Sequence, residues 1–157
     1  MQLHFENLLT SHLDELAMVL LHPAVYQHIE DELPTLHEFK LGLERAIASP
    51  GVNYLVRDDS GAMLGRLEAT PHHQVAEVAF LFGSQYWGRG YASAGLCWLH
   101  EELLRSHAVT EFWATTIPAN HRSQALLRRC GYVENGLPDF PLYSYEPGDI
   151  VFRRRCV

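Results

Sequence analysis

Residues 75–82 read VAEVAFLF, and after Gly83 and Ser84 the chain continues as QYWGRGYASAG over residues 85–95. An apolar run of strand length, two glycines one residue apart, small residues and then a helical pattern is a costly local choice. Glycine loses more conformational freedom on folding than any other residue. A strand, a glycine turn and a helix start also make an anion site, because unpaired N–H groups and the positive end of the helix dipole point the same way. Gly88 and Gly90 would let an oxygen reach those N–H groups, and Arg89 would add a charge-assisted contact. The local alternative is a tight strand-to-helix turn with nothing bound.

Two named phosphate loops do not fit. The lysine and Ser/Thr of G-x-x-x-x-G-K-[ST] are missing. GRGYAS lacks the third glycine or alanine of the dinucleotide fingerprint G-x-G-x-x-G/A at its place, and a dinucleotide fold would place this loop after its first strand among parallel βαβ units. Here the loop follows an antiparallel meander. VNYLVRD and AMLGRLEAT flank the turn signal DDSG, PHH makes the next turn, and QVAEVAFLF is the third strand.

Working outward, QLHFENL reads as a first strand and Thr10 or Ser11 as the cap of a helix with Leu13, Leu16, Ala17, Leu20 and Leu21 on one face. HPAVYQHIEDELP breaks that pattern. A second helix opens at Thr35 with Glu38 three residues on, a capping box, and carries the stripe Leu36, Phe39, Leu43 and Ile47. After the glycine loop, a helix from about Tyr91 to His107, with Ala92, Leu96, Leu99 and Leu103 on one face, precedes the strand TEFWATTI. NHRSQALLRRCGY is a short helix that Gly131 terminates, and the tail closes on IVFRR. The reading is α/β, a mixed, mostly antiparallel sheet of about seven strands with about four helices, in one domain over residues 1–157.

The composition excludes several classes. A formal net charge of −7 argues against nucleic acid and suits a cationic acceptor. No apolar stretch reaches the ~20 residues of a membrane span. The N-terminus lacks the basic start and apolar core of a signal peptide, so a cytoplasmic location is expected. The three cysteines, Cys97, Cys130 and Cys156, have no CxxC spacing and read as small core residues plus a terminal one. His72 and His73 are adjacent and His100 and His107 lie two helical turns apart, so no set has zinc-site spacing and no metal is expected. Trp87, Trp98 and Trp113 read as packing residues, and Arg128–Arg129 and Arg153–Arg155 as solvated ends of elements.

QYWGRGYA resembles the Q/R-x-x-G-x-G/A acetyl-CoA signature of the GNAT superfamily of N-acetyltransferases, and the order of elements resembles that fold across nearly the whole chain. AEVAFLF…QYWGRGYA and WATTIPANHRSQALLRRCGY are similar to the branch with the ribosomal-protein N-terminal acetyltransferases. Asn120, Ser123, Gly131 and Tyr132 occupy that branch's places. The resemblance implies acetyl transfer from acetyl-CoA to a primary amine, a small molecule or a peptide N-terminus. It implies that backbone N–H groups from Gln85 through Tyr86, Trp87, Gly88 and Arg89 to Gly90 hold the pyrophosphate, that Tyr91 and Ala92 also belong to the cofactor site, and that the backbone of Phe80, Leu81 and Phe82 pairs with the pantetheine arm. Asn120 and Ser123 would meet the sulfur end, and Ser123 joins the catalytic candidates.

The acceptor amine is mostly protonated at neutral pH, with a pKa of about 8 for an α-amine and about 10.4 for a lysine. Glu77, a carboxylate on the strand entering the site, is the candidate base; its alternative is an outward-facing strand position. Asn120 also suits a helix cap. The family pattern is broken at Leu127, where many members carry a tyrosine acid, and at Thr115, where some carry a glutamate. Tyr132, Tyr143 or Tyr145 would then have to substitute. Glu30, Asp31 and Glu32, between the first two helices, are the candidate amine-binding charges. A non-catalytic acyl-CoA-binding module on the same fold is the competing reading, and a homodimer is left open.

Overall fold

The computed structural model describes residues 2–156. Among the described residues there are seven strands: β1 (His4–Asn7), β2 (Val52–Arg57), β3 (Met63–His72), β4 (Val75–Phe82), β5 (Glu111–Thr116), β6 (Val133–Asn135) and β7 (Ile150–Arg155). They form one sheet in the order β1-β2-β3-β4-β5-β7-β6, in which only β4 and β5 are parallel. The five helices are α1 (Leu13–Leu20), the single turn α2 (Pro23–Tyr26), α3 (Leu36–Ala48), α4 (Tyr91–His107) and α5 (His121–Arg129).

The pleat decides which helices cover which face. Ala76, Val78 and Phe82 of β4 and Leu67 and Ala69 of β3 point to one side, where they pack on Leu96, Leu99 and Leu103 of α4 and Leu126 and Leu127 of α5. Leu55 and Met63 join Leu13, Leu16 and Leu20 of α1 and Phe39 and Leu43 of α3 on the other side. Neither helical layer covers the second face of β4 and β5 completely, and the chain between β6 and β7 passes over it.

Local signals hold where their partners are close in sequence. The Thr35–Glu38 capping box is made reciprocally, at 3.1 Å and 2.9 Å. α5 ends at Gly131, whose φ of 88° is the left-handed conformation that favours glycine. Other readings are corrected. Neither Thr10 nor Ser11 caps α1; residues Thr10–His12 form a 3-10 turn, and the His12 ring accepts from the Leu9 N–H at 2.9 Å. Leu36, the first residue of α3, is 49% exposed, and the buried residues of that helix are Phe39 and Leu43. The PHH turn moves on, since β3 continues through His72 and reverses at His73, whose φ is 57°. Cys97 is exposed, and Cys130 is buried. Among the described residues, no helix is long and apolar enough to cross a membrane.

Tyr132 is withdrawn from the candidate acids. The chain reversal at Gly131 turns its ring inward, where it is 2% exposed and its hydroxyl lies 2.7 Å from His100 Nε2. Burial holds the His100 pKa down to about 3, with the Arg154 charge adding to the effect. In the unfolded chain His100 titrates near 6.5, so between these values the unfolded state binds the extra proton and stability falls as pH drops. The slope is at most ~1.36 kcal/mol per pH unit. Between pH 7 and pH 4.5, urea unfolding of His100→Asn should show a smaller loss of stability than the parent by about 2–3 kcal/mol. An equal loss in both proteins would contradict a neutral buried imidazole.

Candidate active site

The sheet is discontinuous at its only parallel junction. β4 and β5 pair through Val75↔Glu111, Ala76↔Phe112 and Glu77↔Trp113, and no further. β4 stays with β3 to Phe82↔Gly65, while β5 stays with β7 to Thr116↔Ile150. The β4 edge from Val78 to Phe82 is therefore unpaired toward β5, a row of main-chain donors and acceptors ready for another extended chain. Phe80, Leu81 and Phe82 lie on this edge.

The glycine loop stands at the open end. Ser84–Tyr86 make a 3-10 turn, Gly88 and Gly90 have φ of 76° and 81°, and Gly90 is the N-cap of α4 with no side-chain cap. α3 and α5 are capped by Thr35 and Asn120, whereas α1 and α4 have no side-chain cap, and at Gly90 there is no side chain to supply one. A Cβ on Gly88 would meet nothing within 4 Å, which leaves the space above the loop open. Gln85, Arg89 and Gly90 are exposed, whereas Tyr86, Trp87, Tyr91 and Ala92 pack against the core.

Trp87 ties the loop down. Its indole N–H donates to the Phe82 carbonyl at 2.9 Å, and the Arg122 guanidinium lies 3.5 Å from its ring centroid. Arg122 belongs to the first turn of α5, so the two sides of the opening are linked by one cation–π contact. Asn120 Oδ1 accepts the Ser123 N–H at 3.2 Å, and both residues are half-buried at the start of α5. The capping reading of Asn120 is thus observed.

Glu77 sits at the closed end of the opening, in the last paired position. Its side chain faces away from α4 and is 8% exposed. One carboxylate oxygen accepts the Tyr143 N–H at 2.6 Å; the other accepts the Ser144 N–H at 3.0 Å and the Ser144 hydroxyl. Ser144 Oγ also lies 3.1 Å from Thr115 Oγ1. Phe140 packs edge-on to Trp113, with centroids 5.7 Å apart. A cleft of about 230 Å3 remains, with Glu68, Thr70, Glu77, Val78 and Ala79 as its floor and Tyr143 and Ser144 as its rim. Tyr143 is 75% exposed. These loop residues carried no local signal, because their contacts with Glu77 span 66 and 67 positions.

Glu30, Asp31 and Glu32 are exposed between α2 and α3. Glu30 and Asp31 line a separate cleft of about 440 Å3 with Pro23, Tyr26 and Leu33. No residue is common to the two clefts. Burial raises the Tyr26 pKa, and the nearby Glu30 charge adds to it. Among the described residues, no group of three metal-ligating side chains comes together.

Residues 2–133 match the family model of the acetyltransferase (GNAT) domain. No curated protein matches the sequence. Among solved structures, a GNAT-family acetyltransferase from Bacillus anthracis superposes with a TM-score of 0.81 at 13% identity, over 99% of this chain and 95% of that one. Spermidine N-acetyltransferase from Vibrio cholerae, in complex with CoA and spermine, gives 0.75 at 16% identity over 97% and 93%. RimL, a ribosomal L7/L12 α-N-protein acetyltransferase in complex with CoA, gives 0.79 at 20% identity over 98% and 94%. At these identities the likeness concerns the fold.

The loop anchor yields a direct test. A hydrogen bond to a charged group contributes ~1.5–3 kcal/mol, and Glu77→Ala removes three such bonds at once. Amide hydrogen exchange at Tyr143 and Ser144 should accelerate by about tenfold or more, while amides in the β2–β3 pair keep their protection. Unchanged exchange at both positions would show that Glu77 does not seat the loop.

Proposed function

The chain belongs to the acetyltransferase (GNAT) domain family, the acetyl-CoA-dependent N-acetyltransferases, and on that premise we propose that it acetylates a cationic primary amine. The observation that carries this reading is the unpaired β4 edge, Val78–Phe82, leading to the uncapped start of α4. That edge fits an extended chain with amide groups, and the glycine loop fits a pyrophosphate. Acetyl-CoA has both and supplies the acetyl thioester. Backbone groups of Phe80, Leu81 and Phe82 hold the arm. Main-chain N–H groups between Gln85 and Ala92 hold the phosphates, with Arg89 adding charge and Tyr86, Trp87 and Tyr91 shaping the loop. Asn120 and Ser123 border the opening from the β5 side and are assigned to the sulfur end.

The amine is placed in the cleft beside Val78, where Glu77 is the proton sink. Direct attack on a thioester needs the amine neutral and close to the carbonyl carbon. The main-chain frame of the opening positions it there. Spermine in the Vibrio cholerae enzyme and the N-terminal α-amine implied by RimL's description are both amines, and they differ in everything else. The choice of acceptor therefore rests on this chain's own surface. Glu30, Asp31 and Glu32 favour a cation, a small molecule or a peptide N-terminus, approaching from the α2–α3 side.

Release of the CoA thiol, followed over a panel of primary amines, tests the reading. Thiol should appear only when a cognate amine is present. Glu77→Gln should lower turnover by about a hundredfold and leave the Kd for acetyl-CoA unchanged. Replacing Glu30, Asp31 and Glu32 by their amides should raise the acceptor KM and flatten its salt dependence, since exposed charges are screened within ~8–10 Å. Tight acetyl-CoA binding with no amine-dependent release would overturn the assignment.

A further inference from the structure

Glu77 and Ser144 are arranged in depth. The carboxylate is buried, and three of its roughly four lone-pair sites are filled by the Tyr143 N–H, the Ser144 N–H and the Ser144 hydroxyl. Ser144 is exposed, lines the same cleft, and has a second hydroxyl partner in Thr115 at 3.1 Å. The hydroxyl thus belongs to an exposed residue of the cleft and the carboxylate to a buried one.

We propose that Ser144 is a catalytic residue, the proton relay between the acceptor ammonium and Glu77, with Thr115 as the positioning residue that orients its hydroxyl. This inference rests on the acetyl-transfer reading above. One ammonium N–H bond breaks as its proton passes to Ser144 Oγ. In concert, the Ser144 O–H bond breaks and its proton passes to Glu77 Oε2. The amine keeps its lone pair and becomes neutral, Glu77 becomes a neutral carboxylic acid, and Ser144 is a hydroxyl again. An ammonium and a carboxylate are thereby both neutralised, a change that a partly dehydrated cleft favours over water. The other ionisable groups facing the cleft are Glu68 on β3, paired with Arg66, and Tyr143 on the loop. Neither hydrogen-bonds Ser144 among the described contacts.

The loop anchor and the relay can be separated. Ser144→Ala removes the hydroxyl and keeps both main-chain N–H donors to Glu77, while Ser144→Thr restores a hydroxyl. Two readouts are needed: amide exchange at residues 143 and 144 in the free protein, and kcat for one primary amine between pH 6 and pH 10. For Ser144→Ala the proposal expects amide exchange within about twofold of the parent. It expects kcat at pH 7 to fall by about tenfold or more. That deficit should shrink toward none as pH passes the amine's own pKa, because a neutral amine needs no relay. Ser144→Thr should recover most of the loss at pH 7. A deficit that does not change with pH, no deficit, or faster exchange in Ser144→Ala would overturn the relay. So would a threonine variant that fails with its amides still protected. A parent protein that releases no thiol with any amine would instead defeat the transfer reading, and the relay with it.

Discussion

β4 and β5 share hydrogen bonds over three pairs of residues and then part company. Each is committed elsewhere, β4 to β3 as far as Phe82 and β5 to β7 as far as Thr116. The sheet therefore opens between them without either strand losing its outer partner. Main-chain groups that the sheet would otherwise have satisfied are left to solvent or to a ligand. The unpaired edge is short and lies inside the sheet's own outline, which limits the hazard that an exposed strand edge usually brings.

The two ends of the opening are made from different materials. At the wide end, the available polar groups belong to the backbone: a free helix start, two left-handed glycines and an edge of peptide groups. Such groups are held by secondary structure and need no side-chain ordering. At the narrow end, the hydrogen-bonding groups are side chains brought from three places, Glu77 on β4, Thr115 on β5 and Ser144 on the loop before β7. The buried carboxylate is tolerated because main-chain donors and a hydroxyl satisfy it. One group thereby orders the loop and faces the cleft, so substitutions there will disturb position and chemistry together unless the main-chain donors are kept.

How far the sequence reveals this depends on distance along the chain. The glycine pair, the Thr35–Glu38 box and the Asn120 cap are made between near neighbours, and α4 runs from Tyr91 to His107 as its apolar spacing indicates. The meander follows from alternation, whereas the parallel pairing of β5 with β4 comes from how the chain returns after α4. The seating of Tyr143 and Ser144 on Glu77 depends on how the β6–β7 connection folds back, and no local pattern encodes it. Tyr132 looked available for proton transfer until the turn at Gly131 sent it inward to His100. Glu30, Asp31 and Glu32 are legible as charge, but the cleft lined by Glu30 and Asp31 is built from α2 and the segment after it and shares no residue with that of Glu77, a relation no local pattern encodes.

Hydrogen exchange with and without CoA tests the unpaired edge most directly, because CoA carries the arm and the phosphates but no acetyl group to transfer. On saturation with CoA, amides within Val78–Phe82 and at the first turn of α4, Tyr91–Ser93, should gain protection, while those of β1 and β2 should not change. CoA that binds without protecting the β4 edge would contradict the account.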